Sequence, residues 1–228
     1  MTRVKICGIK EAHHAVAAVE AGADLIGLVF APSTRRVSPA RAQEIAAAVR
    51  SSGGTAKLVG VFVNAHASEV GRIADLCALD WIQLSGDETV EYCVELGRPI
   101  IRSIRVGRQS PADLCAEIAA ASELIGPHGF LTLLDAYVEN RYGGTGIGFD
   151  RAIAARVAER FPTIVAGGLT PDNVGRLVEH VAPWGVDVSS GVETDGAKDV
   201  AKIEAFVQAV RNAARSGTPG NTARGATC

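Results

Sequence analysis

Apolar and polar positions along this chain follow two rhythms in turn. Short, mostly apolar runs read as buried strands: Val4 to Cys7, Leu25 to Phe30, Lys57 to Val63, Trp81 to Leu84, Pro99 to Ile104, Phe130 to Leu134, Thr163 to Ala166, and GVDV before Ser189-Ser190-Gly191. Between them, apolar residues recur at i, i+3, i+4 and i+7, as in Ala42, Ile45, Ala46 and Val49, or Val174, Leu177, Val178 and Val181. Val70, Ile73, Ala74 and Cys77 repeat that helical stripe, and so do Ile203, Phe206, Val207 and Val210. Ser38-Pro39, Ser110-Pro111 and Thr170-Pro171 each set a hydroxyl N-cap before a proline, whose missing N–H has no partner to lose at the first helical position. Helices from about Glu11 to Ala21 and from about Asp150 to Arg160 fit the same alternation. Eight strand–helix units predict an α/β chain closed into a single (β/α)8 TIM barrel over residues 1–215, with a doubly wound open sheet as the alternative. Residues 216–228 are rich in Gly, Ser, Thr and Pro without periodicity, and a disordered tail is expected there.

Composition narrows the partners. The chain has 228 residues, 47% of them hydrophobic, enough for one large core, and its apolar runs fall far short of the roughly twenty residues that cross a bilayer. MTRVKIC enters a strand pattern directly, without the succession of a signal peptide, so a cytoplasmic location is expected. With 23 basic and 25 acidic residues interspersed, no field would gather nucleic acid or an anionic membrane. Any anionic ligand must therefore be caught locally. The five cysteines (7, 77, 93, 115 and 228) are odd in number and lack zinc-ligand spacing, and the histidines form no pair on one helix face. No metal is expected.

Local capture of an anion has an obvious place. TIVAGGLTPDNV and GVDVSSGVE are two strand ends followed by small residues and a helix start, a geometry that aims backbone N–H groups and a helix dipole at one spot. In a (β/α)8 barrel the loops after strands seven and eight are where phosphate binds, which marks Gly167, Gly168, Ser189, Ser190 and Gly191. Strand ends also bring Cys7, Asp135 and Asp187 to the same mouth. Cys7 alone is a weak signal that composition assigns more readily to plain packing, whereas a carboxylate ending FLTLL must meet water, a partner or a substrate, or else cap the following loop. Side chains two apart share a strand face, so Lys5 lies one layer beneath Cys7, and strand eight closes beside strand one. A buried Lys5–Asp187 ion pair is expected, mainly structural, with a secondary effect on the potential at Cys7. GGTGIG lies too far past its strand for a dinucleotide fingerprint and suggests a loop closing over the mouth. Arg36, after strand two, is a candidate to reach inward or an ordinary surface arginine.

The ordered set VKICGIK, FAPSTRRVS, GVFVN, QLSGDE, LLDA, YGGTGIGFD, VAGGLTPDNV and VDVSSGVE with GAKD, spanning about residues 3 to 211, resembles the phosphoribosylanthranilate isomerases of tryptophan biosynthesis. The resemblance implies an Amadori rearrangement of an N-phosphoribosyl anthranilate to the 1-deoxyribulose aminoketose. Cys7 of KICG would be the general base and Asp135 of LLD the general acid. Arg36 would hold the anthranilate carboxylate, and Gly167, Gly168, Ser189, Ser190 and Gly191 the phosphate, with Asp187 beside them. No cofactor is implied, since the substrate's own nitrogen is the electron sink. The partner is a phosphorylated small molecule, and the chain a monomer or homodimer. Two positions depart from the family pattern: Ser85 where QLHG is usual, and Arg151 where FDW is usual. These bear on the aryl side and the loop. A paralogue acting on a modified anthranilate, another sugar-phosphate isomerase or epimerase, and a non-catalytic phosphate sensor are the alternatives.

Overall fold

A computed structural model of the chain describes residues 1–106, 110–126, 129–135 and 151–216. Eight parallel strands close into a barrel: β1 (Arg3–Cys7), β2 (Leu25–Val29), β3 (Lys57–Phe62), β4 (Trp81–Leu84), β5 (Ile100–Arg105), β6 (Phe130–Asp135), β7 (Thr163–Ala166) and β8 (Gly185–Val188). Register pairs run in sequence order from β1 to β8 and then back to β1, where Lys5 faces Asp187. Eight helices surround the barrel: α1 (Ala12–Glu20), α2 (Pro39–Ser51), α3 (Ala67–Cys77), α4 (Val90–Leu96), α5 (Pro111–Ile125), α6 (Arg151–Ala158), α7 (Pro171–Val181) and α8 (Val200–Ser216). The open-sheet alternative is excluded by this closure.

Alternation along the strands separates two cores. Leu25, Val59, Ile101, Leu131, Leu133, Ile164 and Ala166 fill the barrel, with Cys7, Val29, Ala31 and Val61 as a layer above them. Their strand neighbours, such as Ile6, Ile26, Leu28 and Leu58, face outward and join the helices' apolar stripes in one continuous shell. The hydroxyl caps form as the sequence predicts: the Arg41 amide donates to Ser38 Oγ at 3.2 Å and the Asp113 amide to Ser110 Oγ at 3.2 Å. At α7 the Thr170 amide donates to Asn173 Oδ1 (2.9 Å), and Asn173 Nδ2 donates to the Gly168 carbonyl (2.9 Å), which ties the glycine turn to the helix start.

Two boundaries differ from the sequence reading. α8 runs through Ser216, one residue past the expected end of the barrel, and the remainder of the expected tail lies outside the described residues. The proposed closing loop, YGGTGIGFD, also lies outside them. After β8 the chain does not pass directly into α8. It makes a single 3-10 turn, Ser190–Val192, and then a two-stranded hairpin, β9 (Glu193–Thr194) and β10 (Ala197–Lys198). Asp195 and Gly196 both have positive φ (51° and 77°), the conformation a two-residue hairpin turn requires, so Glu193 and Lys198 sit directly opposite each other.

Candidate active site

Because all eight strands are parallel, their last residues share one face. Cys7 is the last residue of β1, in register with Gly27, and Asp135 is the last residue of β6, between Arg105 and Ala166. Asp135 shares its strand face with Leu131 and Leu133, which fill the barrel, so it ends an inward row. Two strands, β7 and β8, separate it from Cys7 around the closed sheet.

Beneath Cys7 the expected ion pair is present. Lys5, fully buried, donates from Nζ to Asp187 Oδ1 at 3.0 Å. A Cβ built on Gly27 would stand 2.9 Å from the Cys7 sulfur and 3.1 Å from Lys5 Nζ. Thiol and ammonium thus occupy adjacent space over a residue with no side chain. Burial pulls the Lys5 pKa down, but the charges of Asp187 and Cys7 outweigh it and leave it raised. Burial also pushes the Cys7 thiol up, and the neighbouring Lys5 charge offsets this only in part because Asp187 acts in the opposite sense.

The two small-residue loops meet as predicted. Gly191 lies so close to the carbonyl of Leu169 that a Cβ there would run into it, which presses the loop after β8 against the loop after β7. Gly167 and Gly168 both adopt positive φ (99° and 62°), and a Cβ on Gly168 would face open space. Ser190, at the head of the 3-10 turn, is exposed, while Ser189 Oγ donates to the Cys7 carbonyl at 3.2 Å and so links the cradle to the end of β1.

The arginine pair after β2 splits. Arg36 is exposed and lines a cavity of ≈ 210 Å³ with Phe30, Phe62, Val63 and Glu69, on the helix side of β2 and β3 rather than over the barrel axis. Its neighbour Arg35 lies inside a turn, which the Arg36 amide closes by donating to the Ser33 carbonyl (3.2 Å), and its side chain runs the other way. Arg35 lies across Gly8 and grips Glu193 with both arms of its fork, Nε to Oε1 at 2.7 Å and Nη2 to Oε2 at 2.6 Å. Lys198 Nζ donates to the same Oε1 at 2.7 Å and to the Ser189 carbonyl at 2.9 Å. Burial opposes the charge on Glu193, but the hydrogen bonds from Arg35 and Lys198 prevail and hold its pKa at about 2. Lys198, more deeply buried, is lowered by that burial against the pull of Glu193. Sequence reasoning missed all three residues. The available signal was Asp195-Gly196 between Glu193-Thr194 and Ala197-Lys198, a hairpin pattern that sets an anion opposite a cation.

Ser85 accepts a hydrogen bond from Gln83 Nε2 (3.1 Å), while Gln83 Oε1 is buried without a partner among the described residues. No group of three or more His, Cys, Asp or Glu among the described residues is placed to hold a metal.

A family model for N-(5'phosphoribosyl)anthranilate (PRA) isomerase matches residues 4–209. The chain belongs to this family. An N-(5'-phosphoribosyl)anthranilate isomerase of Roseiflexus sp. is 48% identical over 221 residues, covering 94% of this chain and all of the relative. One from Pseudomonas aeruginosa strain LESB58 is 47% identical over 218 residues, covering 95% and 98%. Among solved structures, the phosphoribosyl anthranilate isomerase of Thermotoga maritima aligns with a TM-score of 0.79 at 34% identity, covering 93% of this chain and 100% of that one. A phosphoribosyl anthranilate isomerase in complex with reduced 1-(o-carboxyphenylamino)-1-deoxyribulose 5-phosphate aligns at 0.77 and 32% identity, with the same coverage. PRA isomerase family membership and the closed barrel thus agree along nearly the whole chain, and no described helix is long and apolar enough to cross a membrane.

Proposed function

We propose that this chain converts N-(5'-phosphoribosyl)anthranilate into 1-(2-carboxyphenylamino)-1-deoxyribulose 5-phosphate, a step of tryptophan biosynthesis, with Cys7 as general base and Asp135 as general acid. One observation carries the reading: Cys7 and Asp135 end inward rows on the face where β7 and β8 finish in a joined glycine and serine cradle. The phosphate is assigned to Gly167, Gly168, Ser189, Ser190 and Gly191, where small residues and the start of α7 favour an anion. Asp135 protonates the ring oxygen as the furanose opens, leaving an iminium between C1 and the anthranilate nitrogen. Cys7, as thiolate, then removes the proton from C2. The electrons move into the iminium to give an enaminol, which tautomerises to the ketone. The substrate nitrogen accepts those electrons, so no cofactor takes part.

Burial raises the Cys7 thiol, but two positive charges favour its ionised form during the reaction: Lys5 below it and the iminium above it. Asp187 acts through Lys5, which it holds under the sulfur. Arg36 is assigned to the anthranilate carboxylate; from its outward position it must turn toward the mouth when that carboxylate arrives. The direct test is purified protein with freshly formed phosphoribosylanthranilate, followed by loss of anthranilate-type fluorescence. Sustained enzyme-dependent loss is expected, and none at substrate saturation overturns the reading.

A further inference from the structure

Three charges beside the cradle have no part in the chemistry above. Glu193 is 8% exposed and Lys198 2% in their side chains, and ion pairs so far from water contribute little net stability over apolar packing of the same volume. Their connections suggest another purpose. Through Arg35, Glu193 reaches the loop between β2 and α2. Through Lys198, it reaches the carbonyl of Ser189 at the end of β8. On the far side of that loop, the Val37 amide donates to the Val29 carbonyl (2.9 Å), so the backbone at Arg36 is pinned to β2 while its neighbour is pinned to Glu193. Glu193 is itself fixed by the Asp195-Gly196 turn and by Lys202 Nζ, which donates to its carbonyl at 2.8 Å.

We propose that Glu193 is a positioning residue for the substrate site, holding Arg35 and Lys198 so that the loop carrying Arg36 and the phosphate-side Ser189 keep a fixed separation. The inference rests on the assignments of Arg36 and the cradle given above. Its consequence is that one carboxylate governs recognition of both ends of the substrate without touching either.

The test uses Glu193→Gln and Arg35→Lys. The first keeps shape and loses charge; the second keeps charge, loses the fork, and leaves the Glu193–Lys198 pair in place should the first fail to fold. Each is assayed for KM and kcat with phosphoribosylanthranilate, for inhibition by inorganic phosphate, and for preference over the aniline analogue that lacks the carboxylate. For Glu193→Gln, KM and the phosphate inhibition constant should each rise about tenfold, as expected when charge-assisted hydrogen bonds are lost, with kcat changed much less. Arg35→Lys should shift both the same way, by less. Preference for the carboxylated substrate should fall in Glu193→Gln, yet adding Glu193→Gln to Arg36→Ala should lower it no further, because there is then no arginine left to position. Lower thermal stability with unchanged KM, phosphate inhibition and preference would overturn the proposal, and so would weakened phosphate inhibition with preference intact. Failure of the parent reading would look different. The wild-type chain itself would not turn over phosphoribosylanthranilate, while weaker phosphate binding in Glu193→Gln, measured by calorimetry, would still report on the cluster.

Discussion

The two ends of this barrel use the same charged side chains for opposite purposes. At the N-terminal end, Arg211 of α8 donates to the carbonyls of Thr2 (2.8 Å) and Gly22 (2.7 Å) and to Asp24 (2.9 Å), while Asp24 accepts from the Val4 amide (2.8 Å). Asp80 likewise takes the Leu58 amide (2.9 Å) and Lys57 Nζ (3.0 Å). Charges there are spent on backbone, and they stitch helices and loops to strand starts. A cavity of ≈ 530 Å³ at that end is lined by Arg3, Asp24, Lys57, Trp81 and Trp184, with the Arg3 guanidinium stacked 4.6 Å over Trp184. At the C-terminal end, Lys5 with Asp187 and Lys198 with Glu193 pair mainly with one another, beside a thiol and on the same face as Gly168, where a Cβ would meet open space. Conserving shape is the task of one end and presenting charge that of the other, the division expected of this fold.

Four substitutions test that division. The largest effect belongs to Cys7→Ala, which should lower turnover about 10²- to 10⁴-fold with little change in binding. Because burial raises the thiol and only its ionised form is a base, kcat/KM of the wild-type chain should climb with pH through the ordinary thiol range near 8.5 and beyond it. A profile already flat at pH 7 would show the site lowering the thiol instead. Next comes Asp135→Asn, which keeps shape but cannot donate a carboxylic proton; a loss of about a hundredfold is expected, together with a change in the limb of the pH profile set by the acid. An unaltered profile would reduce Asp135 to a loop cap. Arg36→Ala should cost roughly tenfold to a hundredfold with phosphoribosylanthranilate and almost nothing with the aniline analogue, since the fork has lost its carboxylate. Equal losses on both would assign Arg36 to the fold.

The smallest effect on catalysis should come from the other end. Arg211→Ala removes three hydrogen bonds and should cost about 1.5 to 3 kcal/mol of stability, read as a thermal midpoint lower by several degrees, with kcat and KM unchanged. If turnover falls with it, the separation between the ends is less complete than the contacts indicate.

Why one end was easier to read than the other follows from the range of the signals involved. Strand and helix units were legible because apolar periodicity, Ser-Pro and Thr-Pro caps are local, and eight units leave few ways to close. Lys5 with Asp187 could be paired from sequence because a period of two and barrel closure alone set their relation. The Arg35, Glu193 and Lys198 cluster was not legible in the same way. It depends on a short hairpin inserted where α8 was expected to begin, and on which of two adjacent arginines faces the axis. Which one faces in is set by the turn that contains Arg35 and by how the loop is anchored, and Glu193 stands 158 residues away. The net effect on Cys7 was not legible for a related reason. Proximity of Lys5 was inferable, whereas the depth of burial that outweighs it was not.

Gly27 has a lesson for anyone building such a barrel anew. Design usually treats the interior as volume to be filled, and an alanine on β2 would look like a harmless gain. Here the absent methyl is the space in which a sulfur and an ammonium are neighbours, and filling it would drive into both. A designer placing a base on one strand must therefore reserve vacancy on the next, and count that emptiness among the parts of the catalyst.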